Sequence, residues 1–214
     1  MPSRIFLLSP AYAGGARARM LMSHRAQFAL AQRFRHEGAT IAEVFTFLSG
    51  LYFRGKIAYA RRFARAAKGL CASFVITPTR GLMASETRVT MADLREFAEV
   101  DIDTNDPRYR KPLERDAHCL ALSLPCRAEI VLLGSVATGK YVDILLHQFG
   151  DRLAFPADFV GRGDMSRGGL LLRCAADLQE LRYIAVAGAM RSGKRPPKLT
   201  PRRYPKTGQV HGSR

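Results

Sequence analysis

The chain has 214 residues, 47% of them hydrophobic and 24% charged, with a formal net charge of +16. That length suits one domain with a sizeable core. The longest apolar runs are a few residues, which excludes a membrane-spanning helix. The N-terminal MPSRIFLLSPAYAGG has too short an apolar run for a signal peptide and reads as a first β-strand, which points to the cytoplasm. The charge is unevenly spread. Residues 1–36 hold six Arg and no acid, 54–68 hold six basic residues and no acid, and 191–214 hold eight more, while acids gather in 86–116. Such asymmetry suits a polyanion, DNA or RNA, because Lys and Arg release counterions condensed on phosphates. Cys71, Cys119, Cys126 and Cys174 are widely spaced, so neither a zinc site nor a disulfide framework is expected, and no metal or cofactor is called for.

In chain order, RIFLLSPA (4–11) reads as a buried strand ending at Pro and Gly-Gly. Residues 16–38 carry apolar residues at helical spacing and stop at Gly38; 41–67 read as two helices broken around Ser49–Gly55. CASFVITPTRGL (71–82) is a second strand. Thr90 with Asp93 resembles a capping box opening a helix over 90–100. A helix follows over 106–124, interrupted or begun near Pro112; then come a strand at 127–135, a helix at 140–150 closed by Gly150, a strand at 152–159, a helix at 165–180 and a last strand at 181–188. Alternating strands and helices, with strands apolar on both faces, predict a three-layer α/β/α domain over 1–190 around a mostly parallel sheet of four to five strands. Residues 191–214, rich in Pro, Gly and charge, read as a basic disordered tail.

In parallel sheets ligands bind outside the carboxyl ends of the strands, and the unusual residues lie there. After the third strand, GSVATGKY (134–141) spells most of a phosphate loop through Gly134, Gly139 and Lys140, but Tyr141 stands where a magnesium-binding Ser or Thr belongs. A glycine-rich turn capping a helix is the simpler reading, with Lys140 at a helix start that attracts anions. In GRGDMSRGG (161–169), Asp164 reads either as a helix N-cap or, like Asp158, as a general base, with Arg162 and Arg167 around a phosphate. In LYFRGKIAYARRF (51–63), Tyr52 and Phe53 suit base stacking, with Arg54, Lys56 and Arg61 on phosphates; the alternative is an amphipathic helix with its aromatics in the core. For Tyr59 and Phe63 the core reading is preferred.

The order strand-SPA, LYFRGKIAYARRFA, FVITPTRGLM, a Gly-bounded turn before KYVDILL, then FPADFVGRGDM resembles a group of bacterial proteins similar to the uracil-DNA-glycosylase-like module of archaeosine synthases. Leu51, Tyr52 and Gly55, Gly81 and Leu82, and Gly161 and Gly163 carry the likeness, over roughly 4–175. A fainter similarity joins the SPA start to the peroxide-stress protein YaaA, which binds DNA. Leu8-Ser9-Pro10-Ala11 replaces the Ser-Cys-Ser-Lys of the group, and its Pro-Tyr-Asp is absent. The resemblance implies a uracil-DNA-glycosylase-like fold and association with nucleic acid, and makes Tyr141 the expected residue of a site-lining turn.

Taken together, the sequence reads as a nucleic-acid-binding, glycosylase-like hydrolase of N-glycosidic bonds. Asp164 or Asp158 would be the catalytic carboxylate. Ser9, Tyr52, Phe53, Thr79, Gly134, Ser135 and Tyr141 would line the substrate site, and Arg17, Arg54, Arg80, Lys140, Arg162 and Arg167 would meet phosphates. Two alternatives stand beside it: a non-catalytic binding module, and a nucleotide-binding enzyme using Gly134–Lys140.

Overall fold

A computed structural model describes residues 3–66 and 69–201. Six strands form one sheet in the order β4-β3-β1-β6-β7-β8. They are β1 (Arg4–Leu8), β3 (Ser73–Ile76), β4 (Leu82–Ala84), β6 (Glu129–Leu133), β7 (Leu153–Pro156) and β8 (Tyr183–Ala185). The four inner strands run parallel; β4 and β8 close the two edges antiparallel. The sheet is therefore wider than the expected four to five strands, and its last strand runs against its neighbour. A separate two-stranded ribbon pairs β2 (Ala39–Thr40) with β5 (Arg88–Val89).

The helices are α1 (Ala16–Met22), α2 (Ala29–Glu37), α3 (Ile41–Ser49), α4 (Leu51–Phe63), α5 (Met91–Ala98), α6 (Pro107–Ser123), α7 (Gly139–Phe149) and α8 (Asp164–Asp177). Reciprocal capping boxes open α3 (Thr40 with Glu43) and α5 (Thr90 with Asp93), satisfying N–H groups that have no intrahelical acceptor. The helix expected over 16–38 is two, α1 and α2, and α6 runs on through Pro112, whose missing N–H leaves the Arg108 carbonyl without its intrahelical donor.

Ile5–Leu8 and Ile130–Leu133 are fully buried, so both faces of the central strands are covered, as parallel strands require. The chain goes from β1 to β3 on one side and then returns to β6 on the other. With right-handed crossovers this reversal puts α1–α4 on one face and α6–α7 on the other. α8 packs along α4. The break expected around Ser49–Gly55 lies at Gly50, which links α3 to α4 at φ 64°, a backbone conformation that only glycine adopts at low cost. Gly55 sits inside α4, where a side chain would come within 2.6 Å of the Gly168 carbonyl oxygen; a side chain at Gly168 would meet the Tyr52 Cα at 2.7 Å. Two glycines thus let the α4 and α8 backbones touch.

Residues 191–201 form no regular element, and the segment around Gly193–Leu199 lies against Val160, Gly161 and Gly169. The rest of the tail, 202–214, lies outside the described residues.

Candidate functional site

The reversal of strand order falls between β1 and β6, and the carboxyl ends of these two strands open there. Such switch points are where open α/β sheets bind ligands. A cleft of about 360 Å³ occupies the position, lined by Ser9 after β1, Tyr52 of α4, Ser135 and Thr138 after β6, Lys140 and Tyr141 of α7, and Asp164 of α8. A second cavity of about 290 Å³, bounded by Phe97, Val100 and Ile102, shares Pro10–Tyr12, Lys140 and Tyr141 with it.

Beneath the cleft floor lies a lysine. Lys56 is 1% exposed, and its Nζ donates to the Ser9 carbonyl at 2.6 Å and lies 2.9 Å from Ser9 Oγ. The Tyr52 and Phe53 rings flank the ammonium at 4.3 and 4.8 Å from their centroids, an arrangement that favours the cation. Burial nevertheless dominates and pulls the Lys56 pKa down to about 7, with Asp164 opposing the shift and Arg167 adding to it. Burial likewise pushes the Tyr52 and Tyr141 hydroxyls up, so both are neutral hydrogen-bonding groups near neutral pH. The Tyr52 hydroxyl is buried without a hydrogen-bond partner among the described residues. Gly134 fits closely over Ser9: a side chain there would come within 2.9 Å of Ser9 Cβ.

The sequence-selected residues divide. Ser9, Tyr52, Ser135, Lys140, Tyr141 and Asp164 come together in the cleft, with Gly134 against Ser9. Phe53 does not: it is fully buried, its ring edge-on to Phe45 at 5.5 Å, and no base can stack on it. Asp158 is exposed on the turn Ala157–Phe159, outside the cleft lining. Thr79 donates to Glu96. Arg80 is held by Asp93 at 2.7 Å and Glu96 at 2.6 Å, so its charge serves the α5 surface rather than a phosphate. Arg17 is exposed and donates to the Phe47 carbonyl; Arg54 borders a groove between α3 and α4. Arg167 is buried, donating to the Phe159 carbonyl at 3.0 Å with Asp164 at 3.5 Å. Asp164 is the first residue of α8, and Gly163, not Asp164, is its N-cap. Lys56, placed on a phosphate from its basic surroundings, is instead the buried neighbour of Ser9. The signal for it was its position one helical turn after Tyr52.

Arg162 leads to a second feature. With Ser166, Arg173, Arg195 and Lys198 it lines a groove of about 320 Å³ that contains no acidic residue. Arg162 donates to Ser166, and its buried Nε has no partner among the described residues. The groove and the cleft lie on either side of the start of α8, with Asp164 in the cleft and Met165 in the groove.

At the start of α7 the carboxylate of Asp143 lies against Gly139, and Tyr141 lines the cleft. No helix among the described residues is long and apolar enough to cross a membrane. Comparison with protein-family models, curated proteins and solved structures finds no match to the chain.

Proposed function

We propose that this chain is a cytoplasmic nucleic-acid-binding hydrolase of the uracil-DNA-glycosylase-like kind, taking one base into the switch-point cleft and cleaving its N-glycosidic bond. One observation carries the reading. Residues from four separate segments, Ser9, Tyr52, Ser135 with Tyr141, and Asp164, converge on one cleft, and an acid-free cationic groove adjoins it across the start of α8. A base lifted from its stack needs an aromatic wall, polar groups for its edge and a carboxylate for the attacking water. Tyr52 and Tyr141 are the wall, Ser9 and Ser135 the edge readers, and Asp164 the carboxylate. Flanking phosphates lie in the groove against Arg162, Arg173, Arg195 and Lys198, with Lys140 at the cleft rim. The reading draws on the mostly parallel sheet and on Ser9 of the SPA start, Tyr52 of LYFRG, Lys140 and Tyr141, and Asp164 of GRGD lying around one opening.

The test is fluorescence anisotropy of the full chain with labelled single-stranded and duplex DNA and RNA across a salt series. Binding with a steep salt slope, weakened by Arg173→Gln and by Tyr141→Leu, is the expected result. Absence of binding at moderate salt, or binding indifferent to both substitutions, would reject it.

A further inference from the structure

Asp164 accounts for one half of the chemistry in the proposed site, the proton taken from water. A departing base also needs a proton on its nitrogen, and the cleft wall holds a group placed to deliver one.

Ser9 lines the cleft, and its Oγ has Lys56 Nζ at 2.9 Å and the Leu133 carbonyl at a long 3.4 Å. Lys56 has two acceptors on the same residue, the carbonyl and the hydroxyl oxygen of Ser9. When Nζ–H donates to Oγ, the hydroxyl proton of Ser9 is left to point elsewhere, and the poor geometry of the Leu133 carbonyl makes a ligand atom in the cleft the better acceptor. Among the described residues no carboxylate pairs with Lys56 at contact distance, and an apolar residue would fill the space without the cost of desolvating a charge.

We propose that Ser9 and Lys56 form a proton relay that protonates the leaving base, Ser9 acting as the catalytic donor and Lys56 acting through it. The inference rests on the hydrolase reading above. Water attacks the anomeric carbon and gives its proton to Asp164; the carbon–nitrogen bond breaks with its electron pair moving to the base. Ser9 passes its hydroxyl proton to that nitrogen, and Lys56 replaces it on Oγ. After the products leave, Asp164 gives its proton to solvent and the uncharged Lys56 is reprotonated from solvent.

The charged and titratable groups around Lys56 are Tyr52 on its own helix, Asp164 and Arg167 on α8, and Tyr141 near Asp164 on α7. Asp164 holds the proton on Lys56 while Arg167 and burial release it, so the amine changes charge near neutral pH, where a proton donor is most effective. The direction of transfer fixes the sign of the pH dependence. A donor Lys56 must be charged, so turnover falls as pH rises through about 7. A Lys56 acting instead as a base on Ser9 would make turnover rise through the same range.

The experiment is single-turnover base release by the full chain from single-stranded and duplex DNA and RNA oligonucleotides, read by mass spectrometry from pH 5.5 to 9. The expected result is a descending limb near pH 7 in the wild type, with loss of roughly 100-fold at pH 6.5 in Ser9→Ala and in Lys56→Arg, whose guanidinium cannot give up its proton. Oligonucleotide affinity should be retained in Lys56→Arg, whose side chain lies outside the cleft lining. A rate that rises through pH 7, or wild-type rates in both variants, would overturn the relay while leaving the hydrolase reading intact. If the wild type releases no base from any substrate, the hydrolase reading fails and the relay with it. Should Lys56→Arg not fold, the wild-type pH limb and the Ser9→Ala rate decide the question by themselves.

Discussion

Gly55 of α4 and Gly168 of α8 are set against each other so closely that a side chain on either would meet the other helix's backbone, at 2.6 and 2.7 Å respectively. This contact determines how the site is assembled. One residue beyond Gly55 is Lys56, three before it is Tyr52, and one before Gly168 is Arg167. The spacing of two helices thereby sets the distances among Tyr52, Lys56, Arg167 and Asp164.

Substitution of Gly168 by Ala should force α4 and α8 apart and destabilise the fold by about 1–3 kcal/mol, the range for overpacking a filled interior. Thermal unfolding would measure it, and Gly163→Ala, at the α8 N-cap with open space around it, is the matched control expected to cost less. Equal Tm values for the two variants would contradict the close crossing.

Lys56 should give the fold an unusual pH dependence. Its ordinary pKa of 10.5 applies in the unfolded chain, whereas burial holds it at about 7 in the folded one. Between those values the unfolded state binds more protons, so stability contributed at Lys56 rises as pH rises from about 7 towards 10; below about 7 the full cost of the buried charge is present. The slope is at most about 1.4 kcal/mol per pH unit. Denaturant unfolding of wild type and Lys56→Met at pH 6, 8 and 9.5 should show the wild type gaining on the variant with pH. A constant difference between them would mean Lys56 stays charged throughout.

Cationic residues should separate into two classes. Arg173 and Lys198 border an acid-free groove, so Arg173→Gln or Lys198→Gln should lower the salt slope of single-strand binding by about 0.7 each if each meets one phosphate. Arg80, held by Asp93 and Glu96, should leave that slope unchanged when replaced by Gln. Affinity titrations at four salt concentrations distinguish these outcomes.

The capping box of α5 offers a prediction free of any functional claim. Thr90→Ala removes the acceptor for the Asp93 N–H and should cost about 1 kcal/mol, read as a lower Tm.

Five strands of the main sheet predicted from apolar runs are present; in β1, β6 and β7 the signal is unbroken because apolar side chains are buried on both faces, while β8 is a short, half-buried edge strand. β4, β2 and β5 were not legible: two or three residues carry no periodicity, and their pairing is decided by partners distant in the chain. Gly55 read as a helix break because its reason for being glycine is Gly168, more than a hundred residues away. Tyr52 and Phe53 looked equivalent on paper, yet neighbours on a helix point about 100° apart, and one reaches the cleft while the other packs on Phe45. Arg80 looked available because sequence displays charge but not its partners, Asp93 and Glu96. The grouping of Ser9, Ser135, Tyr141 and Asp164 was legible through the rule that ligands gather at strand carboxyl ends, and β1 with β6 supplies the opening.

The most direct test of the central claim is release of free base from oligonucleotides by the full chain, wild type against Asp164→Asn, with binding measured in parallel. The account predicts a released base with the wild type and a loss of at least about 100-fold with Asp164→Asn at unchanged affinity. Equal release by both proteins, or none by the wild type from any DNA or RNA strand, would contradict it.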